Sequence, residues 1–182
     1  MRHYHQRRIT ARIVYSFLLF ILPVIVISGC SSVKRIVSVK PNEHMEVGWT
    51  PRTIFQSPAY AAWFDTGYAN YQPNAEKIER LRRMQDSVDL FVVYGTWCSD
   101  SKREIPRFFK ITDAISFPAA RVTLIAVDRT KQVPPGIAEE YNISNVPTFI
   151  IKYRGIEIGR IIESPKTTLE GDLDEYLSPV FP

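Results

Sequence analysis

One thiol in this chain stands where a folded protein can make it reactive. Cys98 lies in Tyr94-Gly95-Thr96-Trp97-Cys98-Ser99-Asp100-Ser101, directly after the apolar run Leu90-Phe91-Val92-Val93. The run reads as a strand buried on both faces of a sheet. The residues after Cys98 read as a helix, with Ile105, Phe108, Phe109 and Ile115 on one side. A cysteine in the first turn of a helix meets free backbone N–H groups and the positive end of the helix dipole. Both favour thiolate, the form that attacks a disulfide. Ser101 puts a hydroxyl where it can hydrogen-bond that thiolate, but a hydroxyl cannot displace the sulfur from a mixed disulfide. Asp100 places a carboxylate that works against a neighbouring thiolate; the simpler reading is that it caps the helix N-terminus.

The second cysteine, Cys30, belongs to different chemistry. Arg2, Arg7, Arg8 and Arg12 form a positive leader without an acid, and Ile13 to Ile27 is almost wholly apolar. That run is short for a span of roughly 20 residues and suits the apolar core of an export signal. It ends in Ile27-Ser28-Gly29-Cys30, which resembles a bacterial lipobox. The resemblance implies a signal peptide over residues 1–29, a lipid on Cys30 and a tether over residues 30–56 on a membrane outside the cytoplasm. Ser31 after the cysteine suggests the outer membrane. The alternative is an uncleaved membrane anchor. An acylated Cys30 leaves Cys98 as the one thiol of the mature chain, with no internal disulfide.

The formal net charge of +4 comes entirely from the leader, because beyond it 19 Lys and Arg balance 19 Asp and Glu. No clustered basic face for nucleic acid is seen. Arg82-Arg83 and Lys102-Arg103 read as solvated helix faces. His3 and His5 belong to the leader, and His44 is the one histidine beyond it. That argues against a Cys–His nucleophilic pair and against metal sites built from cysteine and histidine; no cofactor is expected.

These residues need a scaffold, and the rest of the sequence supplies its pattern. Residues 31–56 show no clear period, with a short strand expected at Arg35–Val39. Ser57-Pro58 resembles a helix cap followed by proline at the first helical position. Tyr60, Trp63, Phe64 and Tyr71 follow near helical spacing, either as packing against the domain or as an aromatic lid beside the thiol. Asn74 caps a helix carrying Ile78 and Leu81. Pro106 should kink the helix after Cys98. Val122–Val127 reads as a second buried strand, and Pro134-Pro135 opens a short helix ending near Tyr141. Thr148–Ile151 and Ile156–Ile162 form a hairpin turning at Arg154-Gly155. Leu169, Leu173 and Leu177 mark a last amphipathic helix. The order is β-α-β-α-β-β-α, preceded by a helix, with residues 57–182 as one domain.

That order resembles the thioredoxin superfamily over roughly residues 74–180. Trp97-Cys98 resembles the active-site pair, Pro106 the proline of the active-site helix, and Tyr141 through Thr148 the segment with the family's cis-proline. Gly155 and Gly159 resemble the glycines of the final hairpin. The resemblance implies an α/β fold of three layers, a central mixed sheet flanked by helices, with an N-terminal extension. It implies Cys98 as nucleophile, with Ser101 and Trp97 beside it as catalytic residues. It also implies a substrate shelf of Val146 and Pro147, bounded by Trp97, on which an extended strand pairs by β-augmentation. Two departures stand out. Ser101 replaces the resolving cysteine, and Val92 replaces the family's buried acid.

Three functions are compatible with these residues. The first is thiol–disulfide exchange through a single cysteine, reducing or isomerising disulfides. Its partners would be envelope proteins with cysteines or disulfides, an external thiol reductant, and the membrane through Cys30. The second is a non-catalytic binding or scaffold module on the same fold. The third, a peroxide-reducing thiol, fits less well, because Thr96 lies two residues before Cys98 where that family places threonine three before.

Overall fold

The computed structural model describes residues 45–131 and 140–181. The targeting segment, Cys30, the strand expected at Arg35–Val39 and the helix start at Pro134-Pro135 lie outside the described residues.

Five strands form one mixed sheet in the order β1-β3-β2-β4-β5. They are β1 (Gly48–Trp49), β2 (Val88–Tyr94), β3 (Val122–Ala126), β4 (Thr148–Tyr153) and β5 (Ile156–Ile162). β2 and β3 run parallel, with Leu90 opposite Val122 and Tyr94 opposite Ala126. The other pairs, β1–β3, β2–β4 and β4–β5, are antiparallel. Arg154 and Gly155 turn the hairpin, both with positive φ, as the sequence pattern expects.

Among the described residues, the longer α-helices are α1 (Ala61–Asn70), α2 (Ala75–Arg83), α3 (Ser99–Ala114) and α4 (Leu169–Leu177). Asn74 caps α2 by accepting the Lys77 N–H at 3.0 Å. Glu76 in its first turn and three arginines in its last suit the helix dipole. Thr168 caps α4 through the Gly171 N–H. α3 continues through Pro106 to Ala114.

Side-chain alternation along β2 divides the core. Val88, Leu90, Val92 and Tyr94 point into the cluster that buries α1 to α4. Val93 points the other way, to Ile125, Val127 and Val146, with Trp97, Cys98, Tyr141 and Ile143 packed against them. Cys98 therefore sits over the smaller apolar cluster, at the C-terminal ends of the parallel strands.

Two expectations are corrected at the N-terminal side. The sequence pattern extends the tether to residue 56, but β1 pairs with β3 and Phe55 is almost fully buried in the larger cluster. A 3-10 turn at Arg52–Gln56 carries it there. Ser57 does not cap a helix. Its carbonyl accepts from Tyr60 and Ala61, its hydroxyl is buried without a partner among the described residues, and α1 begins at Ala61. The aromatic stripe is core rather than lid. Phe64 stacks on Phe55 at 4.9 Å and meets Phe109 of α3 at 5.9 Å.

Candidate functional site

The cysteine is placed by a tight turn between β2 and α3. The Cys98 N–H donates to the Gly95 carbonyl, and the Cys98 carbonyl accepts from Lys102 to open the helix. Cys98 is thus the residue that immediately precedes Ser99, the first residue of α3. The parallel ladder carries on one step beyond the strands, through Val127 N–H to the Tyr94 carbonyl at 2.8 Å. That step holds the Val127 carbonyl where the Trp97 indole N–H donates to it at 2.9 Å. The indole lies so close over Gly95 that a Cβ there would fall 2.7 Å from a ring atom. Arg129 lies over the same ring, 5.3 Å from its centroid. Trp97 is therefore pinned on both sides and forms one wall of the site.

Val146 and Pro147, which the sequence resemblance implies as a substrate shelf, lie beside the thiol. The Val146–Pro147 bond is cis, and the Cys98 thiol donates to the Val146 carbonyl at 3.1 Å. Cys98 is half-buried, while Val146 and Pro147 are buried. Thr148 holds the bend through the Asn145 carbonyl at 2.6 Å. Lys131, in the loop after β3, reaches across to the Ser144 carbonyl and to Asn145. Cys98, Trp97, Val146 and Pro147 are all brought together.

Ser101 is close in sequence but is used differently from the expectation. It is 1% exposed, and its hydroxyl accepts the Gly95 N–H at 3.1 Å. It anchors the turn that carries Cys98 rather than pairing with the sulfur. Val92, at the position of the expected buried acid, is fully buried among apolar side chains. Asp100 lies in the first turn of α3 and pairs with Arg103 at 2.6 Å, so its charge is met within the helix.

Sequence reasoning missed the polar support behind this helix. Glu104 is 1% exposed and accepts from Arg103 at 2.6 Å and from Arg107 at 3.1 Å. The Glu104 hydrogen bond raises the Arg103 pKa above its ordinary value. Tyr71 donates to the buried Glu170 at 2.6 Å, and burial, more than that bond, pushes its hydroxyl well above the usual tyrosine range. Tyr94 is pushed up to about 12 by burial. Charges at i and i+3 on a helix look like a solvated face in a sequence, and nothing in the apolar period marks Glu104 as buried.

With this geometry in place, comparison with known proteins fixes the family. The thioredoxin family model matches residues 75–175. This chain belongs to the thioredoxin family. It is 35% identical over 97 residues to mitochondrial thioredoxin-3 of Saccharomyces cerevisiae, a match spanning 53% of this chain and 71% of that protein. Among solved structures, the oxidised form of mitochondrial thioredoxin 3 from Saccharomyces cerevisiae has a TM-score of 0.37 at 22% identity, covering 62% of this chain and 98% of that one. Thioredoxin f2 of Chlamydomonas reinhardtii has a TM-score of 0.41 at 15% identity, covering 54% and 86%.

Proposed function

We propose that this chain is an envelope thiol–disulfide exchange protein, held at a membrane by lipid on Cys30 and working through Cys98 alone. The observation that carries the reading is the position of the Cys98 sulfur: half-buried, at the head of α3, 3.1 Å from the Val146 carbonyl beside Pro147. Ser101 supports the single-thiol reading, because it places a hydroxyl where the family's resolving cysteine stands.

In the exchange, the Cys98 thiolate attacks one sulfur of a substrate disulfide. A new S–S bond forms to Cys98, the substrate bond breaks, and the second substrate sulfur leaves as thiolate. For isomerisation, that thiolate attacks a different disulfide of its own chain, and the thiolate displaced there attacks the substrate sulfur bonded to Cys98; a new substrate disulfide forms and Cys98 leaves as thiolate. For net reduction, an external thiol attacks Cys98 in the adduct and frees the substrate thiolate. A second external thiol then frees Cys98. Two external thiols end as one disulfide, and the substrate gains two electrons.

The test is trapping in the native envelope, comparing wild type, Cys98→Ser and Ser101→Cys on non-reducing gels. Wild type should accumulate mixed disulfides, Cys98→Ser should form none, and a second thiol at 101 should shorten their lifetime. A wild type without adducts, whose thiol also resists alkylation at neutral pH, would leave the non-catalytic binding module as the reading. Mass spectrometry should find an acylated Cys30 at the mature N-terminus; an intact Met1 on membrane-extracted protein overturns the anchor.

A further inference from the structure

Arg103 uses all three guanidinium nitrogens, and each bond goes to a different part of the site's frame. Nη1 donates to Asp100 in the first turn of α3, Nε to the buried Glu104, and Nη2 to the Ser164 hydroxyl, each at 2.6 Å. Ser164 belongs to the turn after β5, and the residue before it, Glu163, donates its backbone N–H to the Pro147 carbonyl at 2.7 Å. Glu163 makes that bond with φ at 63°, a backbone conformation uncommon outside glycine. The Ser164 N–H donates to the Ile162 carbonyl at 2.7 Å, and the Arg103–Ser164 bond ties this turn by a side chain to the cysteine's own helix.

The other end of the clasp is equally fixed. One oxygen of Glu104 takes both Arg103 and Arg107, while the other is buried without a partner among the described residues. A buried carboxylate so poorly supplied depends on its remaining partners. Arg103 is therefore held from behind by Glu104 and reaches forward to the turn that grips Pro147.

We infer that Arg103 is a positioning residue for the exchange: it clasps the head of α3 to the 163–164 turn and so sets the Val146–Pro147 shelf at its distance from the Cys98 sulfur. The inference rests on the exchange reading above and adds to it. A strand-like polypeptide disulfide must lie on the shelf to react and so depends on the clasp. A small alkylating reagent meets the sulfur without the shelf and does not.

The test uses the whole chain in detergent, as wild type, Arg103→Gln, Ser164→Ala and the double variant, with thermal melts to confirm folding. Two rates at Cys98 are read: alkylation by iodoacetamide, and release of thionitrobenzoate from a short extended peptide whose cysteine carries it as a mixed disulfide. Each single variant should slow the peptide reaction about three- to tenfold, the range for losing a partly exposed charged hydrogen bond. Iodoacetamide rates should not change in Ser164→Ala; in Arg103→Gln, which also leaves Asp100 without its counter-charge, the peptide rate is read relative to the iodoacetamide rate. The double variant should be no slower than Arg103→Gln, because both substitutions remove one connection. Equal loss of both rates in Ser164→Ala, additive losses, or a peptide rate untouched by Ser164→Ala overturns the clasp. Ser164→Ala alone decides the matter should Arg103→Gln fail to fold. A wild type that alkylates but ignores the peptide disulfide defeats the exchange reading itself, and the clasp with it.

Discussion

Ser101 shows how a residue can keep its place in a motif and change its work. Its hydroxyl completes the turn at Gly95, whose N–H is buried and has no strand partner to turn to. Ser101→Ala should therefore lower unfolding free energy by about 1–3 kcal/mol, the cost of leaving a buried donor unmet, measured by urea denaturation. Unchanged stability would mean the Gly95 N–H finds another acceptor. Cys98, Trp97, Val146 and Pro147 were legible in the sequence because each sits in a short local motif. Arg103 and Glu104 were not. Their meaning depends on Ser164, 61 residues away from Arg103, and on burial that no helical period signals.

Between elements, α1 fits closely on α3. A Cβ at Gly67 would fall 2.9 Å from the Pro106 ring. Gly67→Ala gains about 1 kcal/mol of helix propensity, but overpacking costs about 1–3 kcal/mol. A net loss is expected in thermal or urea unfolding, and a stabilised variant would show that the proline side of α3 yields. The far end of α3 carries a second tie. Asp113 takes both Arg52 guanidinium nitrogens, at 2.6 and 2.5 Å, and the Tyr68 hydroxyl at 2.7 Å. The Arg52 hydrogen bonds hold its carboxyl below the ordinary value of 3.8, against the effect of burial. A carboxyl lowered on folding stabilises fully above its unfolded value and stops doing so as pH falls through its lower folded value. Wild type should thus lose stability below about pH 4, and Asp113→Asn should flatten that part of the profile. At neutral pH the same substitution should cost about 0.2–1 kcal/mol, because the pair is partly exposed. The hairpin and the caps of α2 and α4 were readable because their signals are local. Ser57-Pro58 carried an equally good cap signal, yet the chain forms a turn there, and Phe55 is what the tertiary packing holds.

At the scale of the whole molecule, the boundary of the domain is set by two short pieces with no pattern of their own. β1 has two residues, too few to show alternation, and it covers the edge of β3. Removing residues before 39, where the compact unit begins, should leave the domain's unfolding midpoint unchanged. Removing residues before 57 should destabilise it severely, since loss of a buried phenylalanine alone costs about 3–5 kcal/mol and the β3 edge is left open. Equal midpoints for the two truncations, in the same urea series, would put the boundary back at residue 56. Cys98 is the one cysteine among the described residues and it is free. A domain with two neighbouring thiols carries an internal dithiol–disulfide couple and hence a midpoint potential of its own. This domain has no such couple within it. Under the exchange function proposed above, its oxidation state would be borrowed from whichever sulfur it meets, and the ratio of free to adducted Cys98 would report the poise of its surroundings.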